Sequence, residues 1–173
     1  SDIQLATEAG LPGEILLRPE AVLAHLNDVL ARETPSYEFV TMIYAVVEPE
    51  TRKLRGAAAG HFPPLHFHRR TGRVDEVTMP AGPALGLLPA ARYTTVEWRG
   101  EEGDKILLYT NGLTAATDRE GEQFGLKRII DLLAQRGGGK GSLLLNAIRD
   151  SAVEFRGEVE MEDDFSLLLV ELR

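Results

Sequence analysis

The sequence predicts an α+β sandwich. Three observations point there. Runs rich in β-branched and aromatic residues, separated by tight turns, occupy the middle of the chain; two amphipathic segments follow them; and a continuous apolar run closes the chain. Strands first, then two helices, then a last strand read as central and buried, is the order such a fold takes.

The elements follow in order. Pro19 suits a helix's first turn, and "PEAVLAHLNDVLARE" places Val22, Leu23, Leu26, Val29 and Leu30 on one face. Pro35 and Ser36 end that helix. "YEFVTMIYAVVEP" reads as a strand, "EPETRK" as a hairpin turn and "KLRGAAAG" as the returning strand. "LHFHRR", a "TGR" turn and "VDEVTM" extend the pattern toward an antiparallel meander. "AGPALGLLP" is a Gly/Pro-rich loop, and "YTTVEWRG" and "DKILLYTN" read as a hairpin around "EEGD". "GLKRIIDLLAQ" and "GSLLLNAIRDSAVEF" are helices joined by "RGGGKG", read as a flexible connector; "DDFSLLLVEL" is the closing strand.

The chain has 173 residues, enough for one domain with a sizeable core. Its net charge of −8 argues against nucleic acid and anionic membranes as partners, because both need clustered Lys and Arg. With no cysteine, disulfides, thiolate metal sites and a Cys nucleophile are excluded, which agrees with a reducing cytoplasm. No apolar run approaches the length of a membrane span. The chain opens on Ser1 rather than Met and is read as a piece of a longer protein.

Candidate chemistry lies in carboxylates, histidines and one turn. Asp163 and Asp164 precede the closing strand, where they either cap it in solvent or aim oxygens at a hard cation such as Mg²⁺ or Mn²⁺. His66 and His68 alternate along a strand and share one face; a metal site there needs a further ligand that the spacing does not supply, and an exposed strand face is the expectation. His25 falls on the polar side of the first helix, and His61 in a turn between strands. Asn111-Gly112 reads by default as a hairpin or tight turn, since both residues tolerate positive φ. "GGGKGS" lacks the spacing of a phosphate-binding loop, and Gly-x-Ser-x-Gly is absent.

Four segments, in order, carry a resemblance. "FVTMIYAVVEPETRKLRGAAAGHFPPLHF" contains an Ala-Gly-His-x-Pro-Pro signature, "GPALGLLPAARY" a Leu-Gly loop, "GDKILLYTNGLTAATDREGEQFG" a version of Tyr-Thr-Asp-Gly-Val-Thr-Glu-Ala, and "DDFSLLLVEL" a terminal Asp-Asp strand. From about Pro19 onward the chain resembles the SpoIIE/RsbU-type branch of the metal-dependent PPM (PP2C-like) Ser/Thr protein phosphatases.

The resemblance implies an α/β/β/α sandwich of two antiparallel β-sheets flanked by helices, and a single phosphatase domain over residues 1–173. It implies two Mn²⁺ or Mg²⁺ ions that generate a hydroxide to attack phosphoserine or phosphothreonine, by the logic of two-metal hydrolysis. The implied substrate is a phosphorylated regulatory protein of the anti-sigma-antagonist kind, in cytoplasmic partner-switching stress signalling. The implied metal positions are Asp163 and Asn111, the latter degraded because an amide stands where the family has Asp; Gly112, Asp164, Gly60 and His61 would lie beside the site.

Two further departures accompany Asn111. Ala115 stands where Glu is frequent, and the early Asp-x-x-Gly-His-Gly segment, source of the Asp that bridges both metals, is absent from the chain. No residue is therefore assigned as catalytic, and impaired turnover is expected. Three explanations stay open: strands supplied upstream in a longer protein, a pseudophosphatase that binds partners without chemistry, or an Asn111 substitution that silences catalysis. Sheet edges uncovered by missing N-terminal strands lead to the expectation of a homo-oligomer.

Overall fold

The computed structural model describes residues 15–33, 38–159 and 164–173. Their secondary structure agrees with the α+β reading: two four-stranded sheets and a set of helices. The chain divides into two compact units. One comprises the residues up to His61 together with Thr78–Arg99; the other comprises Phe62–Val77 together with Gly100–Arg173.

In the first unit, a 3-10 turn (Ile15–Leu17) leads into α1 (Pro19–Glu33). Of the predicted apolar face, Val22 and Leu23 are buried; His25 is exposed, as expected. Asn27 is buried on the same helix, a polar residue that the apolar pattern does not announce. Its amide donates to Leu88 O (3.0 Å) and its Oδ1 accepts from Gly86 N (3.0 Å), so it holds the Leu-Gly loop against α1.

Strands β1 (Met42–Glu48) and β2 (Lys53–Ala59) form the predicted hairpin, in register from Met42↔Ala59 to Glu48↔Lys53. The small residues Ala57 and Ala59 of β2 join Leu23, Leu85 and Tyr93 in the unit's core. Strand β5 (Ala81–Gly82) lies parallel to β2, so this sheet is mixed rather than purely antiparallel. The physical reason is the long excursion between them: the chain leaves β2, builds part of the other unit and re-enters in the same direction, the kind of crossover that parallel pairing needs.

The second unit contains β3 (Leu65–Phe67) and β4 (Val74–Glu76), paired antiparallel as expected around the turn at Gly72. The predicted hairpin around "EEGD" does not form. Strand β6 (Val96–Arg99) pairs with β2 in the first sheet, whereas β7 (Lys105–Tyr109) pairs with β3 and with β8 (Leu167–Glu171) in the second. The intervening turn exists, but its bonds go elsewhere: Gly103 N donates to Leu172 O (2.7 Å), and Leu172 N to Asp104 O (2.9 Å), which directs β7 to β8.

The second sheet runs β4-β3-β7-β8. Among the described residues β8 pairs with β7 alone, and its Leu168 is 60% exposed, so the closing strand is not the buried central one that its apolar run predicts. The apolar run instead serves one face: Leu167 and Leu169 pack toward the core, with Leu168 between them pointing away.

Helices α3 (Gly125–Arg136) and α4 (Gly141–Arg156) cover that core as predicted. Ile129 and Leu133 of α3, and Leu144, Ile148 and Ala152 of α4, are buried at four-residue spacing against Leu65, Phe67, Leu107 and Tyr109. Their connection is a tight turn rather than a flexible linker. Gly137 is buried, its N–H donates to Leu133 O (2.7 Å), and Gly139 N donates to Arg136 O (3.0 Å). Glycine is required at 137 because a Cβ there would lie 2.6 Å from Phe67.

Candidate functional site

Two places in the second unit gather chemistry-bearing residues, one at each end of β7. The first follows its C-terminal end. Ile106, Leu107 and Tyr109 are buried, and burial pushes the Tyr109 phenol up to about 12, with the Glu76 carboxylate adding to the effect, so this ring stays neutral. Thr110 has an extended backbone (φ −92°, ψ 163°), and α2 (Asn111–Ala115) starts immediately after it.

Asn111-Gly112 is thus the first turn of a short helix, not a hairpin. Gly112 has no positive φ, and the helix is closed by Leu113 N to Thr110 O (3.2 Å) and by the Thr114 hydroxyl to Asn111 O (3.1 Å). Leu113 explains the preference: it is fully buried in the core, which a hairpin at 111–112 would not achieve. Asn111 is exposed at the strand end, and Ala115 is exposed at the other end of α2.

Thr110 ties this strand end to the approach to β8. Its N–H donates to Ser166 O (3.2 Å), and its Oγ1 accepts from Ser166 N (2.9 Å). Asp164, exposed, lies two residues before Ser166. The segment bearing Asp164 and the turn bearing Asn111 are therefore neighbours. Asp163 lies outside the described residues.

Gly60 and His61 end β2 in the first unit. Gly60 has φ +64°, donates its N–H to Gly82 O (2.8 Å), and leaves a Cβ only 3.0 Å from Ala84, which together require glycine. His61 is half-buried.

The second gathering place precedes β7. Asp104 is buried; its Oδ2 accepts from Glu101 N (2.9 Å), and its Oδ1 accepts from Arg69 N (2.8 Å). Burial alone would raise this carboxyl, but the two backbone N–H groups and the His66 ring hold it below its usual range. His66 Nε2 lies 2.9 Å from Asp104 Oδ2, and the His66 and His68 rings stack with centroids 4.0 Å apart.

The shared face expected of the two histidines is present, but it is not exposed. His66 is 6% accessible, and burial lowers its pKa despite the Asp104 carboxylate. His68 is half-buried, with Nε2 3.0 Å from Asp75 Oδ2 and Nδ1 3.9 Å from Asp104 Oδ2. Asp104 and Asp75 had no signal in the chain: each becomes a partner only when β3 is set between β4 and β7.

A family model described as stage II sporulation protein E (SpoIIE) matches residues 3–173. The chain belongs to the SpoIIE family. Phosphoserine phosphatase RsbU of Bacillus subtilis (strain 168) is 24% identical over 156 residues, which cover 89% of the chain and 45% of that relative; the SpoIIE-family chain thus spans less than half of its length. Among solved structures, the SiaA-PP2C domain of Pseudomonas aeruginosa shares the fold with a TM-score of 0.76 at 23% identity, over 90% of this chain and 60% of that one. The phosphatase domain of the cell fate determinant SpoIIE from Bacillus subtilis, presoaked with Mn, matches with a TM-score of 0.65 at 13% identity, over 98% and 71%. The PP2C-like fold expected from the motifs is therefore present.

The donors at that strand end fit a hard dication only in part. Among the described residues they comprise the Asn111 amide oxygen and the Asp164 carboxylate, and Mg²⁺ or Mn²⁺ prefers carboxylate and water. No helix among the described residues is long and apolar enough to cross a membrane.

Proposed function

We propose that this chain is a SpoIIE/RsbU-type serine/threonine protein phosphatase domain whose turnover is held down by Asn111. Its substrate is a phosphoserine or phosphothreonine on a regulatory protein of the anti-sigma-antagonist kind, in cytoplasmic partner-switching stress signalling. The reading is supported by one observation: the end of β7 is pinned by Thr110 to the segment that bears Asp164, and Asn111 at its tip carries an uncharged amide. When bound, a pair of Mn²⁺ or Mg²⁺ ions supplies an activated hydroxide and neutralises phosphoryl charge. The chain's own part would be to present Asn111 and Asp164 as oxygen donors from two adjacent strand ends, with Asp163 the further carboxylate that the resemblance implies. Replacing a carboxylate by an amide removes a charge that would face the dication, which weakens its hold.

The amide also supports a second reading: a pseudophosphatase that retains the fold and a partner-binding surface without turnover. Calorimetric titration with Mn²⁺, paired with p-nitrophenyl phosphate hydrolysis, separates the two. The unmodified chain should bind Mn²⁺ weakly and hydrolyse slowly. Asn111→Asp should bind about tenfold more tightly or better, because affinity follows ligand charge, and its Mn²⁺-dependent hydrolysis should disappear in Asn111→Asp/Asp163→Ala. Tight binding and full turnover in the unmodified chain would overturn the impairment. A folded Asn111→Asp variant that neither binds Mn²⁺ nor hydrolyses would leave the pseudophosphatase reading.

A further inference from the structure

We propose that His66, His68 and Asp104 form a second metal site, for a borderline divalent ion of the Zn²⁺ type. Asp104 precedes β7 and Asn111 follows it, so this site stands at the opposite end of the strand from the hard-ion positions.

Three potential ligand atoms, one from each residue, lie within 4.8 Å of one another. Two of their separations are decisive. His66 Nε2 is 2.9 Å and His68 Nδ1 is 3.9 Å from the same oxygen, Asp104 Oδ2. Ligand atoms about 2.0–2.1 Å from a tetrahedral ion sit about 3.3 Å apart, so the two distances straddle the required one. Shifts of a few tenths of an ångström in two side chains would equalise them, and the two ring nitrogens, within 4.8 Å of one another, would draw together around the ion.

The hydrogen bonds orient the lone pairs. Asp75 is a carboxylate and accepts, so the proton of neutral His68 sits on Nε2 and its Nδ1 lone pair faces the Asp104 carboxylate. Two electron-rich atoms thus face each other across a gap that a cation would fill. At His66, binding through Nε2 leaves the ring neutral, its proton moving from Nε2 to Nδ1.

The ligands are held from behind as metal ligands usually are. Asp75 orients His68, and the backbone N–H groups of Arg69 and Glu101 fix the two oxygens of Asp104. His68 also lines a cavity of about 360 Å³ with Arg70, Thr71, Arg73 and Glu101, so solvent reaches the cluster from the His68 side. The two arginines there are paired, Arg70 with Glu101 and Arg73 with Asp75. Two imidazoles and one carboxylate suit Zn²⁺ or Co²⁺, not the all-oxygen octahedron of Mg²⁺.

The test is calorimetric titration of the intact chain with ZnCl₂, with CoCl₂ absorption as the geometric readout. One ion per chain should bind, excess Mg²⁺ should not displace it, and Co²⁺ should give the intense visible bands of a tetrahedral site. His68→Ala, at a half-exposed position, should weaken binding by about tenfold or more, and Asp75→Asn by about tenfold, the usual cost of losing an orienting partner. His66→Ala should abolish the Co²⁺ bands if circular dichroism shows it folded. Absence of saturable Zn²⁺ binding, or an isotherm that His68→Ala leaves intact, would overturn the site. The inference is independent of the phosphatase reading, because failure of Mn²⁺-dependent hydrolysis in Asn111→Asp bears on the other end of β7.

Discussion

Thr110 and Ser166 hold each other by two bonds, one backbone to backbone and one from Ser166 N–H to the Thr110 hydroxyl. The pair is the clasp that sets the end of β7 beside the approach to β8. Thr110→Val removes the hydroxyl acceptor at nearly constant volume, and Thr110→Ser retains it. The valine variant should lose about 1 kcal/mol of unfolding free energy, read as a lower urea midpoint at unchanged slope. Its Ser166 amide should exchange hydrogen faster, and Thr110→Ser should behave as the parent does. Equal exchange in all three proteins would show that the hydroxyl does not hold the clasp.

At the start of α1, Thr95 does for the helix what its own sequence does not. Its Oγ1 accepts from Glu20 N (3.1 Å) and its hydroxyl donates to the Glu20 carboxylate, satisfying one of the helix's free amide donors. That hydroxyl, with smaller help from the backbone and Arg18, holds the Glu20 carboxyl below its ordinary 4.5, against the opposing effect of burial. A depressed carboxyl contributes stability that is present above the unfolded value and is lost as pH falls through the folded one. Thr95→Val should therefore destabilise the protein by about 1 kcal/mol at neutral pH, and the gap to the parent should narrow as pH drops below 4.5. Thermal denaturation of both proteins from pH 7 downward checks it; a gap that widens on acidification contradicts the assignment.

The helices were legible because their signal is local. Ile129 and Leu133, like Leu144 and Ile148, repeat every four residues whatever the rest of the chain does. The β1–β2 hairpin was legible for the same reason, being closed by its own turn. Strand partnership was not: Val96–Arg99 and Lys105–Tyr109 both read as strands and flank a good turn, yet nothing local says that they enter different sheets. The strand-end motif was readable at Asn111, but its conformation was not, since the buried Leu113 that draws the turn into a helix acts through distant neighbours. Asp104 stayed hidden because its meaning depends on His66, distant in the chain, and His66 passed for a surface residue because its burial is a tertiary property that the local pattern does not carry.

Asn27 shows how a polar residue on an apolar helix face earns its place. It is fully buried and gives both ends of its amide to the loop Gly86–Leu88, where Gly86 takes φ +84°. Asn27→Ala would leave Gly86 N–H and Leu88 C=O without these partners. The expected cost is about 1–3 kcal/mol, accompanied by faster proteolytic cleavage near the exposed Leu87 and Leu88. A variant with the parent's urea midpoint and cleavage pattern would mean that the loop is held by other contacts.

The turn between α3 and α4 offers a test of close approach rather than of backbone strain. Gly137 has φ −59° and ψ −26°, values open to any residue, so its requirement for glycine is purely one of space. An added Cβ would stand 2.4 Å from Leu133 O and 2.6 Å from Phe67 Cδ2, both held in the core. At Gly138 the nearest atom is Arg69 Nη1 at 3.3 Å, the far end of a flexible side chain that can move. Gly137→Ala should therefore destabilise by about 1–3 kcal/mol through overpacking, whereas Gly138→Ala should stay within about 0.5 kcal/mol of the parent. Because Phe67 lies next to His66 on β3, the Gly137 variant should also perturb the His66 ring resonances in NMR spectra, and the Gly138 variant should not. Equal stability of the two alanine variants would mean that the α3–α4 turn is loose after all, as its run of glycines first implies.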